Sequence, residues 1–314
     1  MVSAFQAAKG TPATKWAQTN FFAGNARPEP TQVLGQLAET DTTRQAANSY
    51  VQQTAMGGAP VFYGREDSIH DWLYYVLGGK ADSGSAGEFK HVLTPSATLP
   101  YITVGSGLGA TLFEQYNDVM VSQLDLSAAT GSPLTATATL QGLAAVRQAA
   151  EWSAGLAPPA ASALAPFNFN GITVKLGGTE THLISSFNAS IANGVALQQT
   201  DKSVPYDVVP GTFSVSMGFD LIFENLKEYN KFHYGGESGT EQSNEIFVTS
   251  ASFEFKFSAK RSLLLTFPQI AYQTFPVNPD PSGAPVVAAV TAMAQRGASP
   301  FLTAEVINAV EKTL

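Results

Sequence analysis

The chain has 314 residues, with 17 Lys plus Arg against 25 Asp plus Glu and a formal net charge of −8. Charged residues are 13% of the chain, against roughly 25% in an average soluble domain, so Ser, Thr, Asn, Gln and Gly carry the polarity, and a surface so poor in charge suits coverage by other copies. The acidic balance without a basic cluster excludes tight nucleic-acid binding, and the absence of cysteine excludes disulfides and thiolate metal sites.

The N-terminus, MVSAFQAAKGTPATKW, lacks the apolar core of a signal peptide. The longest apolar stretch, GAPVVAAVTAMA, is too short for a membrane span, so the expectation is a soluble chain made in the cytoplasm, with no membrane partner. Residues 25–48 are polar and read as a loop, as do residues 80–90 and 233–245. In an assembly such segments become arms that order on a neighbour.

The stretch SIHDWLYYVLGG predicts an amphipathic helix packed on a sheet. Ile69, Trp72, Leu73, Val76 and Leu77 fall on one face, Ser68 and Asp71 have capping-box spacing, and Gly78 and Gly79 supply the stop. Next, YITVGSGLGATLFE places Gly105, Gly107 and Gly109 outside the G-x-G-x-x-G spacing of a dinucleotide site, and no βαβ series follows; it reads as a flexible hairpin tip.

From there the chain alternates with period two. DVMVSQLDLSA and SPLTATATLQG flank the turn signal ATGSP and predict a hairpin. In the second strand Leu134, Ala136, Ala138 and Leu140 take one face and Thr135, Thr137, Thr139 and Gln141 the other. Residues 142–166 then turn Ala- and Pro-rich, a possible helical start giving way to a linker. The chain therefore reads as one elaborated domain over 1–314, with a possible seam at 142–166 between two β-rich halves, 1–141 and 167–314, whose strand patterns echo each other faintly.

In the second half, PGTFSVSMGFDLIFE sets Phe213, Val215, Met217, Phe219, Leu221 and Phe223 against Thr212, Ser214, Ser216 and Gly218, with Asp220 the one charge inside the strand. TSASFEFKFSAKRSLLLTFPQI predicts a second hairpin, with Phe253, Phe255 and Phe257 inward before the AKR turn and Leu263, Leu265 and Phe267 after it. The last segment, FLTAEVINAVEKTL, fits a strand on one reading and a helix on the other.

No constellation calls for catalysis, a cofactor or a metal. His70, His91, His182 and His233 are scattered without ligand spacing, no serine sits in a G-x-S-x-G elbow, and NPDPSG has a single carboxylate between prolines and reads as a turn.

The order and spacing of several stretches resemble the tail tube proteins (major tail proteins) of long-tailed bacteriophages of the siphophage type. These are KGTPAT (9–14), YYVLGG, HVLTPSATLPYITV (91–104), VMVSQLDLSAATGSPLTATATLQG (119–142), ISSFNASIANGV (184–195), VPGTFSVSMGFDLIFEN (209–225), LLLTFPQIAYQTFPV (263–277) and FLTAEVINA (301–309). The resemblance implies a mainly β fold, a β-sandwich with a flanking α-helix and long hairpins or arms. It also implies hexameric rings that stack around a tape measure protein, with strands of all subunits forming one continuous β-barrel. Double-stranded DNA passes through that channel without specific binding during genome ejection, and tail terminator and tail-tip proteins meet the tube's ends. If the two halves were tandem tube domains, a trimer would imitate the hexamer. The implied location is the virion, after synthesis in the bacterial host cytoplasm. The resemblance favours a strand up to Asn308, and it makes Asp125, Thr137, Thr139, Ser214, Ser216 and Asp220 candidates for the channel-facing side chains. The pattern alone fits an ordinary surface strand equally well, and a single bulge inverts the parity. The alternative is a carbohydrate-binding or receptor-binding β-sandwich module of a phage tail tip, presenting aromatics such as Tyr63, Tyr101 and Tyr234 on loops.

Overall fold

The structure is a computed structural model, and it describes residues 1–19, 27–39, 48–85, 87–108, 111–143, 145–148, 162–278 and 285–310. The chain is mainly β, as its period-two patterning dictates. Strands β1 (Val2–Gln6) and β2 (Gln18–Thr19) pair with each other, and β1 also pairs with a later strand. Strands β3 (Glu29–Gln36) and β4 (Ser49–Gly58) form an antiparallel ribbon, followed by β5 (Val61–Tyr63). Residues 29–36 are thus a strand and not part of a loop; both faces of this strand are exposed, so it carries no hydrophobic alternation to announce it. Residues 40–47 of the same expected loop lie outside the described residues.

Helix α1 (Ile69–Leu77) ends where Gly78 adopts φ +82° and donates its N–H to the Tyr74 carbonyl, a left-handed stop that glycine tolerates without a Cβ clash. The capping box read from Ser68 and Asp71 does not form. Ser68 makes no side-chain cap, and the Asp71 carboxylate instead lies 3.2 Å from Nε2 of His70. Strand β6 (Gly78–Ser85) starts at the stop itself and pairs with β7 (Glu88–Pro95), so residues 80–90 are mostly a hairpin and not a loop. Its outer half is solvated on both faces, and polar composition there misled the reading. Strand β8 (Tyr101–Leu108) carries Gly105 and Gly107 within the strand and not at a flexible tip, and Gly109 lies outside the described residues.

Strands β9 (Leu112–Ala129) and β10 (Thr135–Gly142) form the expected hairpin. The expected helical start is instead β11 (Ala145–Gln148), which pairs with Phe113–Tyr116; residues 149–161 lie outside the description. After a short 3-10 turn (Phe169–Gly171) come β12 (Ile172–Leu176), β13 (Thr179–Thr181), β14 (Ile184–Ala192), β15 (Ala196–Gln198), β16 (Asp207–Val209) and β17 (Ser214–Ile222). Helix α2 (Lys227–Tyr234), which the sequence reading did not anticipate, takes up the start of the segment expected as a loop at 233–245. Strands β18 (Val248–Ser258) and β19 (Arg261–Thr274) make the second hairpin, with Phe253, Phe255, Leu263, Leu265 and Phe267 fully buried. Phe257 departs from that reading and is 46% exposed, because the pairing register shifts between Lys256 and Ser258. Strands β20 (Val287–Ala294) and β21 (Thr303–Asn308) complete the fold.

One layer is the antiparallel sheet β10–β9–β14–β17–β20–β19, flanked at β10 by β4 and β5. The other contains β6–β7–β21–β19–β18–β12–β13. The long β19 belongs to both, pairing with β21 through residues 262–266 and with β20 through residues 270–274. Phe187 of β14 and Phe219 of β17 meet Phe253 of β18 at ring distances of 4.2 and 6.3 Å, joining the layers through aromatic contact. Each such side chain stabilises the sandwich by about 1.5–3 kcal/mol through burial. Among the described residues the single chain closes no barrel.

Candidate channel-facing sheet

Alternation along β10, β9, β14, β17 and β20 sends one parity into the core. Ala136, Ala138, Leu124, Leu126, Ala189, Ile191, Val215, Met217, Phe219, Val290 and Ala292 are all buried there. The opposite parity faces away, and cross-strand pairing arranges it in rows. One row runs Thr139, Gln123, Ala192, Ser214. The next runs Thr137, Asp125, Ser190, Ser216, Met293, followed by Thr135, Ser127, Asn188, Gly218, Thr291. A fourth runs Ala129, Ser186, Asp220, Ala289. All six candidates, Asp125, Thr137, Thr139, Ser214, Ser216 and Asp220, therefore share one face of one sheet. Ser214 and Ser216 are exposed, and the other four are half-buried among their neighbours.

The five strands contain no Lys or Arg. The two carboxylates of the face are held by neutral donors: Nε2 of Gln123 donates to both oxygens of Asp125 at 2.8 and 2.9 Å, and Oγ of Ser186 donates to Asp220 at 2.6 Å. The hydroxyls of Thr274 and Thr291 bond each other at 2.7 Å. At Gly218 a Cβ would approach the Asn188 amide nitrogen to 2.9 Å, so glycine lets that side chain lie flat across the strand. The result is a hydroxyl- and amide-bearing surface with a weak negative field. Such a surface offers no cation to a phosphate and so gives nucleic acid nothing to hold. Ser127, Ser186, Asn188, Ser190 and Thr291 belong to it and were not singled out from the sequence. The first four carry the same alternation signal, whereas Thr291 hides in the apolar run VAAVTAMA.

Ile69, Trp72, Leu73, Val76 and Leu77 of α1 all lie in the main core at 0–1% exposure, with the Trp72 ring 4.9 Å from that of Phe62 and tilted against it. The histidines divide in two. His70 and His91 are buried and stacked 4.7 Å apart, while His182 is exposed and His233 packs beside Tyr229. Nδ1 of His91 meets Asp82 at 2.8 Å, and its Nε2 lies 3.2 Å from Oδ1 of Asn308, whose amide donates to the Glu66 carbonyl at 2.7 Å. Among the described residues no group of three His, Asp or Glu is arranged to hold a metal. The tyrosines named as loop aromatics sit elsewhere. Tyr63 and Tyr101 are in β5 and β8, Tyr234 ends α2, and the Tyr101 hydroxyl donates to Asp207 at 2.9 Å. Burial, that bond and the Asp207 charge push the Tyr101 phenol up to about 12. Lys9 also binds Asp207 at 3.0 Å and tethers the N-terminal segment there; that segment is further held by Asp118, which accepts from the Gly10 N–H at 2.7 Å and from Gln6.

A sandwich with one cation-free, hydroxyl-rich sheet face and a strand pattern that runs almost from end to end is then met by a family comparison of the same extent. The family described as phage tail tube protein matches residues 2–299. The chain belongs to that family. No curated protein matches it. As a tail tube protein it is a structural component of a virion and not an enzyme. No helix among the described residues is long and apolar enough to cross a membrane.

Proposed function

We propose that this tail tube protein assembles head to tail into rings of six that stack into the hollow tube of a siphophage-type tail, with the β10–β9–β14–β17–β20 face turned toward the channel. The observation that carries this reading is the pairing of an apolar inner parity across five adjacent strands with a cation-free outer parity that is hydroxyl- and amide-rich on β10, β9, β14 and β17. Neighbouring subunits continue the sheet into a closed barrel, which consumes the strand edges that would otherwise invite aggregation. Asp125 and Asp220, repeated around each ring, give the lumen a mild negative potential that favours sliding of double-stranded DNA during ejection. A tape measure protein fills the channel before ejection, and terminator and tip proteins cap the ends. Synthesis takes place in the bacterial host cytoplasm. The chain acts as one elaborated domain across the 142–166 seam: β9 precedes it and β14 follows it, and the two pair directly over Gln123–Ala129. That continuity favours six single-domain subunits over three tandem ones.

The test begins with electron microscopy of the purified protein over a concentration series, which reads tube formation and ring symmetry. The chain has no cysteine, so Ser216→Cys adds a unique thiol. In assembled tubes a small maleimide should label it through the open ends while a maleimide coupled to a large protein should not. Equal labelling by both reagents in intact tubes would place the face outside and sink the assignment.

A further inference from the structure

Two Asn–Gly pairs occur in the chain, Asn170–Gly171 and Asn193–Gly194. In each, a carboxamide is followed by a backbone nitrogen that no Cβ shields, the local arrangement in which the main chain can attack the side chain. The fold treats the two in opposite ways. Asn193 is 3% exposed, and its Nδ2 donates to the carbonyls of Val76 in α1 and Val121 in β9 at 2.8 and 3.1 Å. Its N–H donates to the Ser122 carbonyl at 2.9 Å and its own carbonyl accepts from the Gly211 N–H at 2.8 Å, so backbone and side chain are both held. A carboxylate at 193 would face two buried carbonyls in place of the donor they now share, which is costly away from water. Asn170 and Gly171, by contrast, are exposed in the 3-10 turn. The Gly171 N–H reaches the Asn168 carbonyl only at 3.5 Å, so the attacking nitrogen is weakly engaged. Oδ1 of Asn170 accepts from the N–H of Gly131, in the turn between β9 and β10, at 2.9 Å.

We propose that Asn170 is a site of spontaneous deamidation that the fold leaves open, while Asn193, with the same sequence signal, is kept as the amide. The Gly171 nitrogen bonds to Cγ of Asn170 and gives up its proton; the Cγ–Nδ2 bond breaks, and Nδ2 leaves with that proton as ammonia. Water then opens the resulting succinimide at either carbonyl, giving aspartate or isoaspartate. No electron changes hands, and the only co-reactant is the solvent that both residues already face. The Gly131 N–H is aimed at the oxygen on which negative charge develops during the attack. The turn must open to bring nitrogen and carbon together, and three residues at the surface open far more readily than the packed end of β14. Aspartate keeps an acceptor for Gly131, whereas isoaspartate inserts a methylene into the main chain next to the buried Phe169. Either product adds negative charge beside the β9–β10 turn, just past the row of Ala129, Ser186 and Asp220. The chemistry belongs to the single chain and does not depend on the tube reading.

The test incubates the folded full chain in mildly alkaline buffer, with a parallel sample in urea. Mass spectrometry of the peptides containing residues 170 and 193 reads the amide-to-acid mass gain at each asparagine, and enzymatic carboxyl methylation counts the isoaspartate. In the folded protein Asn170 should convert at least about tenfold faster than Asn193, and in urea the two rates should converge. Equal rates in the folded protein would overturn the inference, because the dipeptide alone would then set the chemistry. An Asn170 that stays intact in the folded chain yet converts in urea would overturn it as well, since the turn would be protecting it. Asn170→Gln keeps the carboxamide but must close a larger, slower-forming ring, and it should remove most of the acid formed in the folded sample. Acid formed undiminished by that variant would place the reaction at another residue and refute the assignment.

Discussion

Replacing Phe187 with Ala should unfold the bolt that joins the two sheets, and the neighbouring Asn188→Ala should do almost nothing. Phe187 is 1% exposed, and its ring lies 4.2 Å from Phe253 and 6.1 Å from Phe255, on the strand facing it across the core. Truncating a buried Phe costs about 3–5 kcal/mol from lost transfer energy and the cavity left behind. The aromatic pair with Phe253 contributes about 0.5–1.5 kcal/mol beyond area, which places the loss in the upper half of that range. At about 4 kcal/mol the folding constant falls by roughly a thousandfold, a large share of the 5–15 kcal/mol that holds a typical domain together. Asn188, one residue along, is exposed beside Gly218, and its truncation should stay within about 0.5 kcal/mol. Urea unfolding followed by tryptophan fluorescence reads both, since Trp16 and Trp72 are buried. A strand slipped by one residue would exchange the two outcomes. A costly Asn188→Ala beside a mild Phe187→Ala would therefore refute the assigned faces, and with them the whole polar surface.

Three further outcomes follow from the buried polar groups. Asn308→Ala removes the donor to the Glu66 carbonyl and the acceptor of the Val310 N–H, at 2.7 and 3.0 Å, and should cost about 2–4 kcal/mol in urea unfolding while speeding limited proteolysis of the C-terminal segment. Lys231 is buried between Glu228 and Glu237 at 2.7 and 3.0 Å, and Glu228 also accepts from the Tyr272 hydroxyl at 2.6 Å. Lys231→Met should cost about 3 kcal/mol by stranding Glu228, and adding Glu228→Gln should recover part of it; a double variant worse than the single one would show that the pair is not the cause. The pH response has two limbs. Tyr101, raised from 10.0 to about 12, contributes stability that is complete below pH 10 and is lost as the pH climbs to about 12, because the unfolded phenol gives up its proton first. Asp207 is pushed up by burial but held below its ordinary 3.8 overall by bonds from Lys9, Tyr101 and the Val208 N–H, so its contribution is present above that value and lost as the pH falls through the lowered one. Melting temperatures of Tyr101→Phe and Asp207→Asn across both ranges should show the shallower limb in each variant, and limbs identical to wild type would count against the network.

The strands that were legible beforehand are those whose two faces meet different media. Residues 123–142, 210–224 and 249–267 largely bury one parity and wet the other, and a period of two is a local property that survives without knowledge of the partner. Helix α1 was legible for the same reason at period 3.6. The segments that escaped differ: β3 and the outer half of β6 are wet over most of their surface, α2 is mostly half-buried against the core, and β11 is paired at an edge. There, pairing and packing decide the conformation, and side-chain pattern carries little information. The candidate face shows the same division. Parity set Ser214, Ser216, Asp220, Thr137 and Thr139 opposite the apolar faces one strand at a time, and the resemblance to tail tube proteins made them, with Asp125, channel-facing candidates. Nothing local sets β14 beside β9 across the intervening segment, or gives β17 the apolar β20 as its second neighbour. Those contacts are long-range, and they depend on which inward side chains fill the space between the sheets. Alternation is a property of each strand alone, whereas a continuous surface exists only once strands distant in sequence have been packed side by side.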